Sequence, residues 1–208
     1  MTIPGISAIV QDLVLGILLF LVIIVTVYIT RRFSNVWVNR KIIHLSSVPA
    51  ILAYMYVFHE PYVFFSFAIF FSIALTVPHI QNREYSWFQI KNNFGEIFYC
   101  LSFAILSILF WNISKILAGV AMLFTAIGDS VTGLVRSRFM RERGKHWTGI
   151  FAMFISCSLI GLVFLGALGV LLSVIATLAE VQPWIDDNLS IPFSTALLGL
   201  LFLNVPVL

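Results

Sequence analysis

The chain is poor in charge. Asp, Glu, Lys and Arg make up 10% of its 208 residues, against about a quarter in a soluble domain, so water is not its principal solvent. It has two cysteines, Cys100 and Cys157, each inside an apolar run, which argues against a disulfide framework and excludes a paired-cysteine metal site. There is no GxxxxGK[ST] phosphate loop and no GxGxxG following a strand, so the common soluble nucleotide folds are excluded. The basic residues sit in the connections between apolar runs rather than on one exposed face, which excludes a nucleic-acid reader. No basic segment or small-residue cleavage site precedes the first apolar run, so Met1–Gly5 is expected to lead into a retained span, not a removed signal peptide.

What the chain has in quantity is apolar surface: 61% of residues are hydrophobic and the mean hydropathy is +1.04. Nothing marks a linker or a second compositional regime, so residues 1–208 are expected to form a single domain. A bilayer core needs roughly 20 apolar residues per helix. Runs of that kind lie near Ile9–Thr30, Ile42–Phe58, Tyr62–Pro78, Glu96–Trp111, Ile116–Val135, Gly149–Ala179 and Ile191–Leu208. The expected fold is therefore all-α, a polytopic transmembrane helix bundle of about seven spans. Gly149–Ala179 fits badly: as one helix it would be on the order of 45 Å long, too long for one crossing and short for two. Gly161, Gly166 and Gly169 offer places to bend it.

Charge placement predicts orientation. Arg31, Arg32, Arg40, Lys41, Arg83, Lys91, Arg136, Arg138, Arg141, Arg143 and Lys145 fall in one alternate set of connections, and Lys115 alone falls in the other. The positive-inside rule puts the first set in the cytosol and the N-terminus outside.

In such a background the informative residues are polar groups in or beside the apolar runs. Asp129, in Gly128-Asp129-Ser130-Val131-Thr132-Gly133, lies within a run. An unpaired carboxylate there costs several kcal/mol unless a cation, a metal or hydrogen bonds hold it. Gly128 and Gly133 permit close approach of a ligand to the backbone; the blander alternative is a packing aspartate paired with a neighbouring Arg. The basic stretch from Arg136 to Lys145 reads either as an anchor on anionic headgroups or, beside Asp129, as a phosphate site. Lys145 precedes a helix expected from Trp147, and a helix N-terminus with a nearby lysine attracts anions. Arg40-Lys41-Ile42-Ile43-His44 heads the second run, with His44 on the same helical face as Lys41. Glu180-Val181-Gln182-Pro183-Trp184-Ile185-Asp186-Asp187-Asn188 gathers five oxygen-bearing side chains of the kind Mg²⁺ selects. On its own it reads equally as a solvated acidic loop.

Taken in order, Arg40-Lys41-xx-His44, Gly95-Glu96-Ile97-Phe98-Tyr99, Gly128-Asp129, Lys145-His146-Trp147-Thr148-Gly149 and Glu180…Asp186-Asp187-Asn188-Leu189-Ser190-Ile191-Pro192 resemble the CTP-dependent polyprenol kinase family. That family includes dolichol, phytol and farnesol kinases and a CTP-dependent diacylglycerol kinase. The resemblance runs from about Arg40 to Phe193. It implies transfer of the γ-phosphoryl group of CTP to the hydroxyl of a membrane isoprenoid alcohol or glycerolipid, assisted by Mg²⁺. By the same resemblance, Asp129, Lys145 and Lys41 are catalytic. Arg40, Lys41, His44, Gly128, Gly133, Arg136, Arg138 and Lys145 bind the nucleotide, and Asp129, Glu180, Asp186, Asp187 and Asn188 hold the metal. The chain departs from the family pattern at Arg136 (usually glycine), Thr132 (usually alanine), His146 (usually Ser or Thr) and Thr148 (usually glutamate).

One expectation conflicts with another. If Gly149–Ala179 crosses once, the acidic segment faces away from the basic loops. If it crosses twice or re-enters, the two share a site, and the resemblance favours this. Two rivals stand beside the kinase: a cytidylyltransferase that makes a CDP-lipid with release of pyrophosphate, and a non-catalytic lipid carrier or transporter. The carrier predicts an inverted repeat, and none is visible.

Overall fold

The computed structural model describes residues 7–140 and 144–203, and among them the regular structure is helical. Arg141 and Arg143 lie outside the described residues. The helices are α1 (Ala8–Thr30), α2 (Val36–Leu45), α3 (Val48–Tyr56), α4 (Tyr62–Ile80), α5 (Gly95–Leu109), α6 (Lys115–Leu123), a π-helical turn (Phe124–Asp129), α7 (Ser130–Phe139), α8 (Trp147–Leu165), α9 (Ala167–Val181) and α10 (Asp187–Leu203). In a lipid environment a helix satisfies its own backbone, which is why so apolar a chain adopts nothing else.

The starts are set by short polar residues. The side chains of Ser7, Asn35 and Ser114 accept hydrogen bonds from the backbone N–H groups of Val10, Val38 and Leu117, satisfying donors that a helix leaves free in its first turn. Four units are long and apolar enough to cross a membrane: α1, α4, Lys115–Phe139 (α6, the π turn and α7 together) and α8. The helices α5, α9 and α10 are apolar but shorter. Length and composition therefore support four of the seven expected spans directly. Their outward faces carry exposed Ile, Leu, Val and Phe along α1, α4 and α8, a surface suited to lipid rather than water.

Two expected spans prove to be broken. Ile42–Phe58 is not one helix: α2 ends at Leu45 and α3 begins at Val48. Pro49 lacks a backbone N–H and is tolerated only in the first turn of a new helix. Ser46 and Ser47 turn their hydroxyls onto the carbonyls of Ile43 and His44, each at 2.7 Å, which covers acceptors freed at the break. Gly149–Ala179 is a hairpin of α8 and α9 with its corner at Gly166. Gly166 has φ 60° and ψ −137°, a conformation restricted in practice to glycine. The two arms meet most closely where Gly161 lies on the backbone of Gly169, with no room for a side chain on either.

The central element is α6 with its π turn. From Leu117 to Leu123 every side chain is buried. Around it stand α3, α5, α8 and α10, while α1 and α4 form an outer flank against α2 and α5. The far end of that flank is tied by Asp12 of α1, which is 1% exposed. Its carboxylate accepts from the backbone N–H of His59 and of Glu60 at 3.0–3.1 Å and lies 2.8 Å from His59 Nδ1. It thus caps the turn leading into α4.

Candidate functional site

The hairpin settles how the acidic segment lies relative to the basic one. Because the chain doubles back at Gly166, the end of α9 and the head of α10 return to the end of the bundle where α8 began. Lys145 Nζ reaches the backbone carbonyl of Glu180 and lies 3.2 Å from Glu180 Oε1 and 3.0 Å from Asp187 Oδ1. The acidic and basic segments therefore belong to one polar band. The acidic residues are also less loop-like than expected, since Asp187 and Asn188 form the first turn of α10.

At the centre of the band is Asp129, the last residue of the π turn. A π turn inside an α-helix is a frequent mark of a functional position, because it displaces side chains from the regular helical register. Asp129 is 5% exposed and its Oδ2 lies 2.5 Å from Lys41 Nζ of α2. His44, one turn further along α2, places Nδ1 4.0 Å from the same oxygen. The imidazole stacks on the Tyr99 ring of α5 at 4.0 Å between centroids. Ser130 donates to the Lys41 carbonyl at 3.2 Å, fastening α7 to α2. Residues 88 apart in sequence thus meet as a buried ion pair with a histidine beside it. A short buried pair of this kind persists where the attraction exceeds the loss of hydration of both charges.

Arg40, next along α2, points the other way, as adjacent residues on a helix must. Its guanidinium donates to Asn93 Oδ1 at 2.8 Å and lies 3.3 Å from Glu96 Oε2. Glu96 also meets His79 Nε2 at 2.8 Å and Gln89 Nε2 at 3.2 Å. A second buried charge cluster, on α2, α4 and α5, thus adjoins the first.

The third cluster holds Arg136. Its guanidinium makes a two-pronged contact with Glu180, NH1 to Oε1 at 2.7 Å and NH2 to Oε2 at 3.0 Å, with Glu180 fully buried. A side chain at Gly149 would collide with that guanidinium. Arg136, expected to bind the nucleotide, has its fork turned to Glu180, and Glu180, expected as a metal ligand, is the counter-ion of Arg136 and Lys145. Gly128 and Gly133 were expected to let a ligand approach. Instead, the space beside Gly133 is filled by the Lys41 side chain and that beside Gly128 by Cys157 and Met153. Both glycines therefore serve helix packing. Arg138 is exposed on α7, away from these pairs.

Among the described residues no three His, Cys, Asp or Glu side chains converge as a complete metal cage. Mg²⁺ rarely needs one, because nucleotide phosphates and water fill most of its shell. Asp186, expected as a metal ligand, accepts from the Asn188 backbone at 2.9 Å and caps α10. Asp187, at the head of α10 and outside the four long apolar helices, is pushed up to about 6 by burial first and by the Asp129 charge second, with Lys145 opposing. Among the described residues the carbonyl oxygen of the buried Asn188 side chain has no hydrogen-bond partner, and with Asp187 and Asp129 it offers the kind of hard oxygen that would suit Mg²⁺.

On the other side of His44 opens a cavity of about 470 Å³ between α1, α2, α4 and α5. Its polar lining comes from Arg31, Arg40, His44, Ser47, Glu96 and Tyr99, and the rest is largely aliphatic and aromatic.

Comparison with known proteins finds similarity over about half of the chain. The phytol kinase of Synechocystis sp. is 30% identical to this chain over 127 residues, covering 52% of this chain and 54% of that protein. An uncharacterized protein of Methanocaldococcus jannaschii is 33% identical over 108 residues, covering 49% and 56%. The likeness is to a phytol-kinase-like protein. The chain spans about half the length of these curated relatives. No protein-family model matches, and no solved structure matches.

Sequence reasoning singled out Asp129, Lys41, His44, Lys145 and Asp187, and the structure brings these into one band. It missed Glu96 as a charge centre, together with His79. Glu96 was placed at the start of a span, and the signal that would have marked it is the one used for Asp129: a carboxylate beside a long apolar run.

Proposed function

We propose that the protein is an integral membrane kinase that moves the γ-phosphoryl group of CTP to the hydroxyl of a membrane isoprenoid alcohol. The observation that carries this reading is the meeting of Lys41, Asp129 and His44 in one buried cluster that opens on an apolar cavity. A phosphoryl acceptor that dissolves in lipid needs both halves of that arrangement. The similarity to phytol kinase supports the acceptor class; the choice of CTP rests on the motif resemblance.

Phosphoryl transfer asks for charge neutralisation and alignment more than covalent chemistry from the protein. Lys41 and Lys145 neutralise the phosphates, and Arg40 stands behind Lys41 to hold α2 in place. The alcohol oxygen forms a bond to the γ-phosphorus as the bond to the β,γ-bridging oxygen breaks, and CDP leaves with that electron pair. The hydroxyl proton goes to the His44–Asp129 pair. Mg²⁺, held by Asp129, Asp187 and the Asn188 side-chain oxygen, would add positive charge opposite the phosphates. The polar band then faces the cytosol and the N-terminus the opposite side, as the charge distribution requires.

The test is phosphate transfer by detergent-purified protein from γ-labelled CTP or ATP, with Mg²⁺, to geranylgeraniol, a longer polyprenol or diacylglycerol. CTP-dependent label in a prenyl alcohol, lost in Asp129→Asn, is the expected result. Pyrophosphate with a CDP-lipid would replace the kinase by a cytidylyltransferase, and absence of any product from folded protein would leave a lipid carrier.

A further inference from the structure

The cavity beside His44 has a shape that bears on where a lipid tail lies. Along α1 its lining runs from Gly16 to Arg31, a length of about 22 Å at the rise of an α-helix. Its volume of about 470 Å³ is in the range of sites that take small amphiphilic ligands.

Its two ends differ. At one end Gly16, Phe58 and Phe64 close it. A side chain at Gly16 would come within 2.7 Å of Val63 and Phe67, so α1 lies directly on α4 there. Toward the other end the polar groups collect, from Ser47, Tyr99 and His44 on to Arg40, Glu96 and Arg31. Ser47 and Tyr99 share a hydrogen bond at 2.6 Å, and Tyr99 also donates to the His44 carbonyl at 3.2 Å. Along the side, the exposed residues Ile24, Tyr28 and Phe70 form the rim, so the opening between α1 and α4 faces the surface that lipid covers. Apolar walls, one polar end and a lateral mouth describe a site for an amphiphile that arrives from the bilayer.

We propose that this cavity is the tail site of the lipid alcohol, whose hydroxyl lies against His44 and whose surplus carbons leave through the opening between α1 and α4. The proposal rests on the kinase reading and adds the place of the tail and its route of entry from the bilayer. His44 then lies between the two substrates, with the alcohol on its cavity side and Asp129, 4.0 Å away, on its phosphate side.

The test is equilibrium binding of tritiated geranylgeraniol to the full chain in nanodiscs. Wild type is compared with Ala50→Phe and Ala74→Phe, which push a ring into the cavity from α3 and α4. Wild type should bind the prenyl alcohol saturably, and each Phe variant should lose at least about tenfold of that binding, since overpacking excludes the tail. Undiminished binding by folded variants overturns the proposal. If a variant does not fold, a diazirine-bearing geranylgeraniol is cross-linked to wild type. Label on Phe67, Phe71 or Phe103 supports the cavity, and label confined to other residues overturns it. Phosphate transfer measured in parallel separates the two readings. Transfer that survives both Phe variants sinks the cavity and leaves the kinase; prenyl alcohol bound in the cavity without transfer from any nucleotide sinks the kinase and leaves the cavity.

Discussion

Replacing Arg136 by Met should cost the protein stability before it costs any affinity for nucleotide. The guanidinium is buried and both its terminal nitrogens are occupied by a Glu180 carboxylate that has no solvent exposure. Taking the cation away leaves that carboxylate, among the described residues, with the Lys145 ammonium at 3.2 Å. Loss of one partner from a buried pair costs about 3–5 kcal/mol, whereas replacing both by apolar residues of similar volume is close to neutral. The double variant Arg136→Met/Glu180→Leu should therefore be much more stable than either single variant, with a coupling on the order of 3 kcal/mol. For a chain of this length each kcal/mol moves the melting temperature by about 2–4 °C, so each single variant should melt roughly 6–20 °C lower. Thermal unfolding in detergent reads this, and nucleotide binding to the double variant reads the functional half. Lys145 retains Asp187 in that variant at 3.0 Å, so its contribution to phosphate binding should survive. Additive losses in the cycle, or a double variant that is stable yet no longer binds CTP, would refute the assignment of Arg136 as a structural cation.

Three further outcomes follow from single positions. Gly166→Ala should destabilise by about 1–3 kcal/mol, because its backbone conformation is open only to glycine; an unchanged melting temperature would mean the hairpin corner is elsewhere. Asp12→Ala should cost about 2–3 kcal/mol by stranding the His59 and Glu60 N–H groups, and Asp12→Asn less; a loss below about 0.5 kcal/mol would show the cap to be idle. Asp187 titrates near 6 in the folded protein and near 3.8 unfolded. The folded state therefore holds its proton more tightly, and this group's contribution to stability falls as pH rises from about 4 to 6. With chelator present, Asp187→Asn should melt above wild type at pH 7 and level with it near pH 4; melting below wild type at pH 7 would contradict the crowding of carboxylates.

The parts of this architecture that were legible in the sequence share one property: each is a polar residue whose surroundings make it improbable. Asp129 stood out because an apolar run tolerates a carboxylate only when something holds it, and Lys41 and His44 stood out by sharing a helix face. The same rule applied to Asp12, which sits in the first apolar run and turned out to cap a turn 47 residues away. It was passed over because the run was read for length alone. The span limits failed for a different reason. Hydropathy is blind to a break that costs no apolar residues, so the interruption at Ser46-Ser47 was invisible to it although Pro49 marked it, whereas the excess length of Gly149–Ala179 and its glycines pointed to the corner found at Gly166.

What periodicity cannot give is pairing. Arg136 and Glu180 are 44 residues apart, and Arg40 and Glu96 are 56 apart; nothing local says which cation meets which carboxylate. The two pairs divide the basic residues by depth rather than by motif. Arg136 and Arg40, both about 5% exposed, are turned to internal carboxylates. Lys145, with 39% of its side chain exposed, remains accessible to solvent, and Lys41 is set against the one carboxylate that also neighbours the cavity histidine. Guanidinium forks suit fixed two-pronged pairs, while an ammonium on a flexible stem can exchange one oxygen for another. In this fold the buried Arg40 and Arg136 tie helices together, and the proposed phosphoryl transfer is left to the two lysines, Asp129 and His44.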